Sequence, residues 1–256
     1  MLVEGGNKTA NLKRASRLIK QAATAGAQVI VLPEAMTLGW THPSARSEAE
    51  DIPAGVSCSF LREAAQKNHL FICAGLIERS AQQIFNSAVL VNPQGQVILH
   101  HRKINELDIA RDLYAPGDRL QVVRTIFGTF GLMICADAFA PGQNLSRSLG
   151  LMGADVILSP SSWAVPGGHD QGKEPYGKLW LDNYQPVARD FRLWIAGVSN
   201  VGWLTAGPWQ GRKCIGCSLL IDARGKAVLA GPYGENAETI LYHEVVTELR
   251  PVRSVT

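Results

Sequence analysis

Long apolar runs are missing from this 256-residue chain. A membrane-spanning helix needs about 18 or more consecutive apolar residues, so no membrane partner is expected. The opening, Met1-Leu-Val-Glu-Gly-Gly, lacks the charged and apolar regions of a secretory signal. Charge is also scarce: Asp, Glu, Lys and Arg make up 18 %, and 25 basic against 22 acidic residues leave a net +3. No lysine or arginine block is present to track a phosphate backbone, which argues against nucleic acid. The five cysteines (58, 73, 135, 214 and 217) are odd in number and irregular in spacing, so they make no disulfide framework. That usage fits a reducing compartment, and a cytoplasmic chain is expected. Cys214-Ile-Gly-Cys217 is a lone CxxC without the second ligand pair of a zinc site, and the six histidines form no HxxxH or HxH pattern. No metal site is therefore expected.

What the chain does have is apolar content, 46 % of residues, in short runs separated by turn signals. That suits one large α/β domain over residues 1–256, and the low surface charge predicts self-association. Leu12, Ala15, Leu18, Ile19 and Ala22 fall at the helical period from Thr9 to Gly26. Gln28 to Leu32 then reads as a buried strand. Helices are expected at 60–68, 145–152 and 177–189, and strands at 70–77, 84–91, 96–101, 122–127, 130–136, 155–159, 193–198, 216–222, 227–230 and 238–246. The turn Asn92-Pro-Gln-Gly95 predicts a hairpin, and Gly128-Thr129 a second one. Gly26-Ala-Gln-Val-Ile-Val-Leu-Pro33 is echoed by Gly153-Ala-Asp-Val-Ile-Leu-Ser-Pro160, and Asn92 to Leu99 by Asp222 to Leu229. Such an internal pseudo-repeat predicts two mixed sheets face to face with helices outside, a four-layer αββα sandwich.

Three ionisable residues stand at strand ends, where α/β folds open their crevices. Glu34 follows Pro33 directly, and packing there would desolvate its carboxyl and suit it to carry protons near neutral pH. Lys103 ends the 96–101 strand. Cys135 closes Gly131-Leu-Met-Ile-Cys135-Ala136-Asp137. A thiol needs a base or a nearby cation to act as a nucleophile, and Glu34 and Lys103 would supply them. Lys103 with the backbone N–H of Ala136 would hold a developing oxyanion. Trp40, Tyr114 and Trp163, on loop-like stretches, are the candidate pocket lining.

Leu32-Pro33-Glu34, Arg102-Lys103-Ile104, Pro116-Gly117-Asp118, Gly131 to Asp137, Gly153-Ala-Asp-Val and Ala188-Arg189, in that order, resemble the nitrilase superfamily of carbon-nitrogen hydrolases. The resemblance implies the αββα fold, a homodimer or larger homo-oligomer, and a Glu-Lys-Cys site on Glu34, Lys103 and Cys135 that needs no metal or organic cofactor. It further implies hydrolysis of a small carboxamide through a thioester with release of ammonia. A nitrile or N-carbamoyl amide as substrate, or a silent homologue serving in binding or assembly, are the alternatives. The chain departs from the family pattern in four places, one being Phe139-Ala-Pro141-Gly142 where Arg-Phe-Pro-Glu is common, which argues against an amino-acid-like substrate. Its first strand has no counterpart ahead of Gly5, and an alanine follows the cysteine where an aromatic is common. Ala110 stands where a second family glutamate would fall, leaving Glu106 or Asp112 as the substitute acid.

Overall fold

A computed structural model describes residues 1–247. In chain order the elements are α1 (Lys8–Thr24), β1 (Val29–Val31), α2 (Ala45–Glu48), α3 (Val56–Asn68), β2 (Phe71–Ser80), β3 (Gln83–Val91) and β4 (Val97–Arg102). There follow β5 (Val122–Thr125), β6 (Gly128–Leu132), α4 (Asn144–Leu151), β7 (Val156–Ser161), β8 (Ala164–Pro166) and α5 (Lys178–Phe191). The last elements are β9 (Trp194–Ser199), β10 (Val201–Trp203), β11 (Arg212–Ile215), β12 (Leu219–Ile221) and β13 (Ala227–Ala230).

One sheet has the order β1-β2-β3-β4, and a second has the order β13-β12-β9-β7-β6-β5. The two-residue period of β2 and β3 shows how they stack. Phe71, Cys73, Ala88 and Leu90 point at Phe130, Leu132 and Leu158 of the second sheet. Ile72, Ala74, Leu76, Val89 and Val91 point the other way, into Ala15, Leu18 and Ile19 of α1 and Leu61 and Ala65 of α3. On the outer face of the second sheet lie Leu149 of α4 and Tyr184, Val187 and Ala188 of α5. The layers thus run helix, sheet, sheet, helix, as the sequence predicts.

Local chemistry sets the elements. The Asn7 side chain caps α1 by accepting from the Ala10 N–H at 3.2 Å, and one face of the helix is fully buried. Truncating Ile19 on that face to alanine would cost about 2–5 kcal/mol. The repeat is structural too. α1–β1 and α4–β7 are matching helix–strand units, with β1 and β7 each in parallel pairs, while β3–β4 and β12–β13 are matching hairpins.

Several expectations need correction. Residues 238–246 form no strand. Their alternating pattern has no neighbouring strand to pair with among the described residues, and the segment is pinned by side-chain bonds near its ends. The Leu2 N–H donates to Glu238 Oε2 at 2.7 Å and the Trp194 indole to Val246 O at 3.1 Å. The β5–β6 turn falls on Ile126-Phe127, with Gly128 already paired to Thr125. Sequence reading misses β8, β10 and β11, which make a small third sheet in the order β10-β11-β8. The chain's start is also tied in: Val3 N–H donates to Val201 O, and Val201 N–H to Met1 O, each at 3.0 Å. An apolar cavity of about 770 Å³ lies along β1, bordered by residues 216–220 and 239–245. None of Glu34, Lys103 and Cys135 lines it.

Candidate active site

Glu34 sits on a sharp turn over the sheet. β1 stops at Val31, and Ala35 takes φ +48°, in the left-handed region. The turn presses onto β2 at Gly75, where an added Cβ would lie 2.5 Å from Glu34 Cα. Only glycine leaves that space. Lys103 is fixed by the residues beyond β4, with its N–H donating to Asn86 O at 2.8 Å and its C=O accepting from the Gly117 N–H at 2.7 Å. A Cβ on Gly117 would stand 2.1 Å from Arg102 O, which gives the Pro-Gly-Asp phrase its physical reason. Cys135 opens a short 3₁₀ turn, Cys135–Phe139, just past β6, and holds φ +46°. A non-glycine residue kept in that region stores backbone strain, a feature that clusters at functional sites.

These three residues meet. Lys103 Nζ lies 2.8 Å from Glu34 Oε1, and both side chains are only 1 % exposed. Asn86 Nδ2 donates to the same oxygen at 2.6 Å, which leaves Glu34 Oε2 without a partner. The Cys135 thiol interacts with the Glu34 carboxyl group and with the backbone of Ser162. Ala136 occupies the first turn of the 3₁₀ segment, where a backbone N–H has no partner within the helix.

Charge balance follows from burial. Burial alone would neutralise Lys103, but the Glu34 carboxylate beside it outweighs that and holds the ammonium well above its ordinary range. Burial and the Glu34 charge push the Cys135 thiol up, more than Lys103 lowers it. The resting sulfur is therefore a thiol, and a base must take its proton as it reacts. Lys103 does not by itself keep a thiolate.

The structure separates the candidate second acids. Glu106 is buried, with Oε2 3.7 Å from Lys103 Nζ. Burial lifts its pKa to about 8 against the pull of Lys103, so it carries a proton at neutral pH. Asp112 instead is exposed and lies outside the cluster, its carbonyl accepting from Arg46. Trp40 packs with its ring centroid 5.5 Å from Lys103 Nζ, and Tyr114 accepts from the Thr41 N–H at 3.1 Å. Trp163 stacks on Trp180 at 4.5 Å. All three lie outside helices and strands, and all three are buried. Asn86, Ser162 and Asn105 escape sequence reading. Only Asn86 leaves a trace there, as an amide interrupting the apolar strand Ile84 to Val91. Among the described residues no cluster of three His, Cys, Asp or Glu is placed to hold a metal ion. No helix among them is long and apolar enough to cross a membrane.

A sandwich of two mixed sheets between helices, with a carboxyl group, an ammonium and a thiol converging at the strand ends, defines an α/β hydrolytic class. The sequence model of the family described as carbon-nitrogen hydrolase matches residues 5–253. This chain belongs to that family and is an enzyme acting on carbon–nitrogen bonds other than peptide bonds. It is 33 % identical to the nitrilase of Pyrococcus abyssi over 85 % of this chain and 77 % of that protein. It is 30 % identical to the omega-amidase NIT2 of Xenopus tropicalis over 79 % of this chain and 77 % of that one. The crystal structure of Saccharomyces cerevisiae Nit3, a member of branch 10 of the nitrilase superfamily, superposes with TM-score 0.75 at 25 % identity. That match covers 92 % of this chain and 86 % of Nit3.

Proposed function

We propose that the protein hydrolyses a small carboxamide through a thioester on Cys135. The observation that carries the reading is the buried Glu34–Lys103 contact of 2.8 Å with the Cys135 thiol against the same carboxyl group. Glu34 takes the thiol proton as Sγ adds to the amide carbon, and the carbonyl electrons move onto oxygen. Lys103 and the Ala136 N–H hold that oxyanion. Glu34 then returns the proton to nitrogen, the C–N bond breaks, and ammonia leaves. Water, losing its proton to Glu34, attacks the thioester. The sulfur departs, regains the proton, and a carboxylic acid is released.

Unpaired polar atoms support this placement of the substrate. Glu34 Oε2, Asn86 Oδ1, both oxygens of Glu106, and the indole N–H groups of Trp40 and Trp163 are buried without a conventional hydrogen bond in the protein. Such atoms are costly to leave unpaired, and those of Glu34, Asn86, Glu106 and Trp40 belong to the group of side chains around Lys103, where a small polar substrate would use them. The likeness to an omega-amidase favours an amide over other carbon–nitrogen substrates. The likeness to a nitrilase supports a second reading, in which the same thiol attacks a nitrile carbon and two waters are consumed.

Ammonia release over a panel of short amides, nitriles and N-carbamoyl amides, with wild type and Cys135→Ala, tests the proposal. Amide turnover by wild type that disappears in the variant is expected. Activity that survives the substitution overturns it. Turnover of nitriles alone selects the second reading, and release of carbon dioxide with ammonia identifies carbamoyl cleavage.

A further inference from the structure

Asp137 is fully buried, two residues after the cysteine, and it faces four donors from two separate stretches of chain. Its Oδ2 accepts from the Ile134 N–H, directly before Cys135, at 2.8 Å. Its Oδ1 accepts from the N–H groups of Ile104 at 3.0 Å and Asn105 at 2.8 Å, directly after Lys103. The fourth contact is His101 Nε2 on Oδ2, at 2.8 Å. Asn105 returns the link, its Nδ2 donating to Ala136 O at 2.7 Å. Cys135 and Lys103 are 32 positions apart and stand on different sheets. The bonds that join the backbone before one to the backbone after the other all pass through this single carboxylate. From this geometry we infer that Asp137 is a positioning residue that sets the distance and angle between the Cys135 sulfur and the Lys103 ammonium.

Cys135 sits at a strained φ of +46°, a conformation that persists only when its surroundings over-determine it. The Asp137–Ile134 bond supplies that constraint from within the turn. Lys103 has its own main-chain bonds to Asn86 and Gly117, which hold it to the first sheet and not to the cysteine. Hydrophobic contact keeps the sheets together but does not fix a sulfur to within an ångström of an ammonium. A carboxylate accepting four hydrogen bonds does, because each bond is directional and the group cannot rotate without losing several. Burial opposes its charge, but the bonds to His101, Asn105 and Ile134 keep Asp137 ionised below the usual carboxylate range.

The inference rests on the proposed role of Cys135, and the test separates the two. The rate of Cys135 alkylation by iodoacetamide, read by peptide mass, needs no substrate; kcat and KM are measured on the best amide of the panel. In Asp137→Asn the geometry of the group is kept, but an amide N–H₂ replaces one acceptor and faces donors. Folded Asp137→Asn should lose kcat by on the order of ten- to hundred-fold with KM within about two-fold, and alkylate Cys135 correspondingly more slowly. Asn105→Ala, which cuts only the return link, should lose about three-fold in kcat, again with little change in KM. Wild-type kcat and alkylation in folded Asp137→Asn, or a loss confined to KM, overturns the inference. Should Asp137→Asn not fold, an Asn105→Ala enzyme with unchanged kcat and alkylation overturns it. A wild-type Cys135 no more reactive than a buried thiol would instead sink the proposed function itself.

Discussion

The two halves of the chain repeat a phrase and end it differently. In the first, Val29 of β1 pairs with Phe71, and in the second Val156 of β7 pairs with Trp194, so the parallel registers correspond. β7 runs on through Pro160 and Ser161, opposite Val198 and Ser199. β1 stops at Val31, and the chain after Pro33 turns across its neighbour at Gly75, the counterpart of Val198. A glycine in one copy and a valine in the other therefore separate a turn that presents Glu34 from a strand that continues. The second copy contributes differently, through the Ser161 carbonyl that accepts from Glu34 N–H at 3.3 Å and the Ser162 backbone beside the Cys135 thiol. The repeat gives a near-symmetric scaffold, and the site lies where the symmetry is broken.

Variants that break this comparison are expected to act in order of their nearness to the reacting atoms. Cys135→Ala should abolish turnover, by roughly a thousand-fold or more, with the melting temperature little changed, as ammonia release and calorimetry would show. Lys103→Met should also abolish turnover and in addition cost about 3–5 kcal/mol in urea unfolding, because it strands the buried Glu34 charge. Gly75→Ala drives a methyl into Glu34 and should lower kcat by about ten- to hundred-fold. Val198→Ala, at the matching position, should cost only about 1 kcal/mol of stability and leave kcat intact.

Glu106 has a pKa of about 8 in the fold against an ordinary 4.5. Between those values the folded protein holds a proton that the unfolded chain has released, so its contribution to stability declines as pH rises through that window. Glu106→Gln cannot lose that proton. Its stability should fall less between pH 5 and 8.5 than that of wild type, measured by urea unfolding at each pH.

The sequence was most legible where chemistry and periodicity coincide. Pro33-Glu34, Lys103 and Cys135 each follow an apolar strand, and strand ends are where such folds gather reactive groups. The layers were readable because β2 and β3 bury both faces and α1 buries one stripe. Residues 238–246 misled because an alternating pattern records side-chain preference but not whether a partner strand exists. Glu106 and Asp112 looked alike along the chain, six positions apart, yet one faces Lys103 and the other faces solvent. That choice depends on how the loop after Lys103 folds back, which no local pattern encodes. Asp137 was visible as part of a motif, but its four donors come from two chain segments brought together only by the packing of the two sheets.

The central claim is that the sulfur of Cys135 forms a covalent acyl bond during turnover. Acid quenching of the wild-type enzyme during hydrolysis of its best amide, followed by peptide mass spectrometry, tests it directly. The peptide containing Cys135 should gain the mass of the substrate's acyl group, and that gain should vanish on treatment with hydroxylamine. Turnover with no such adduct on trapping at several times, together with an active Cys135→Ala enzyme, would contradict the account.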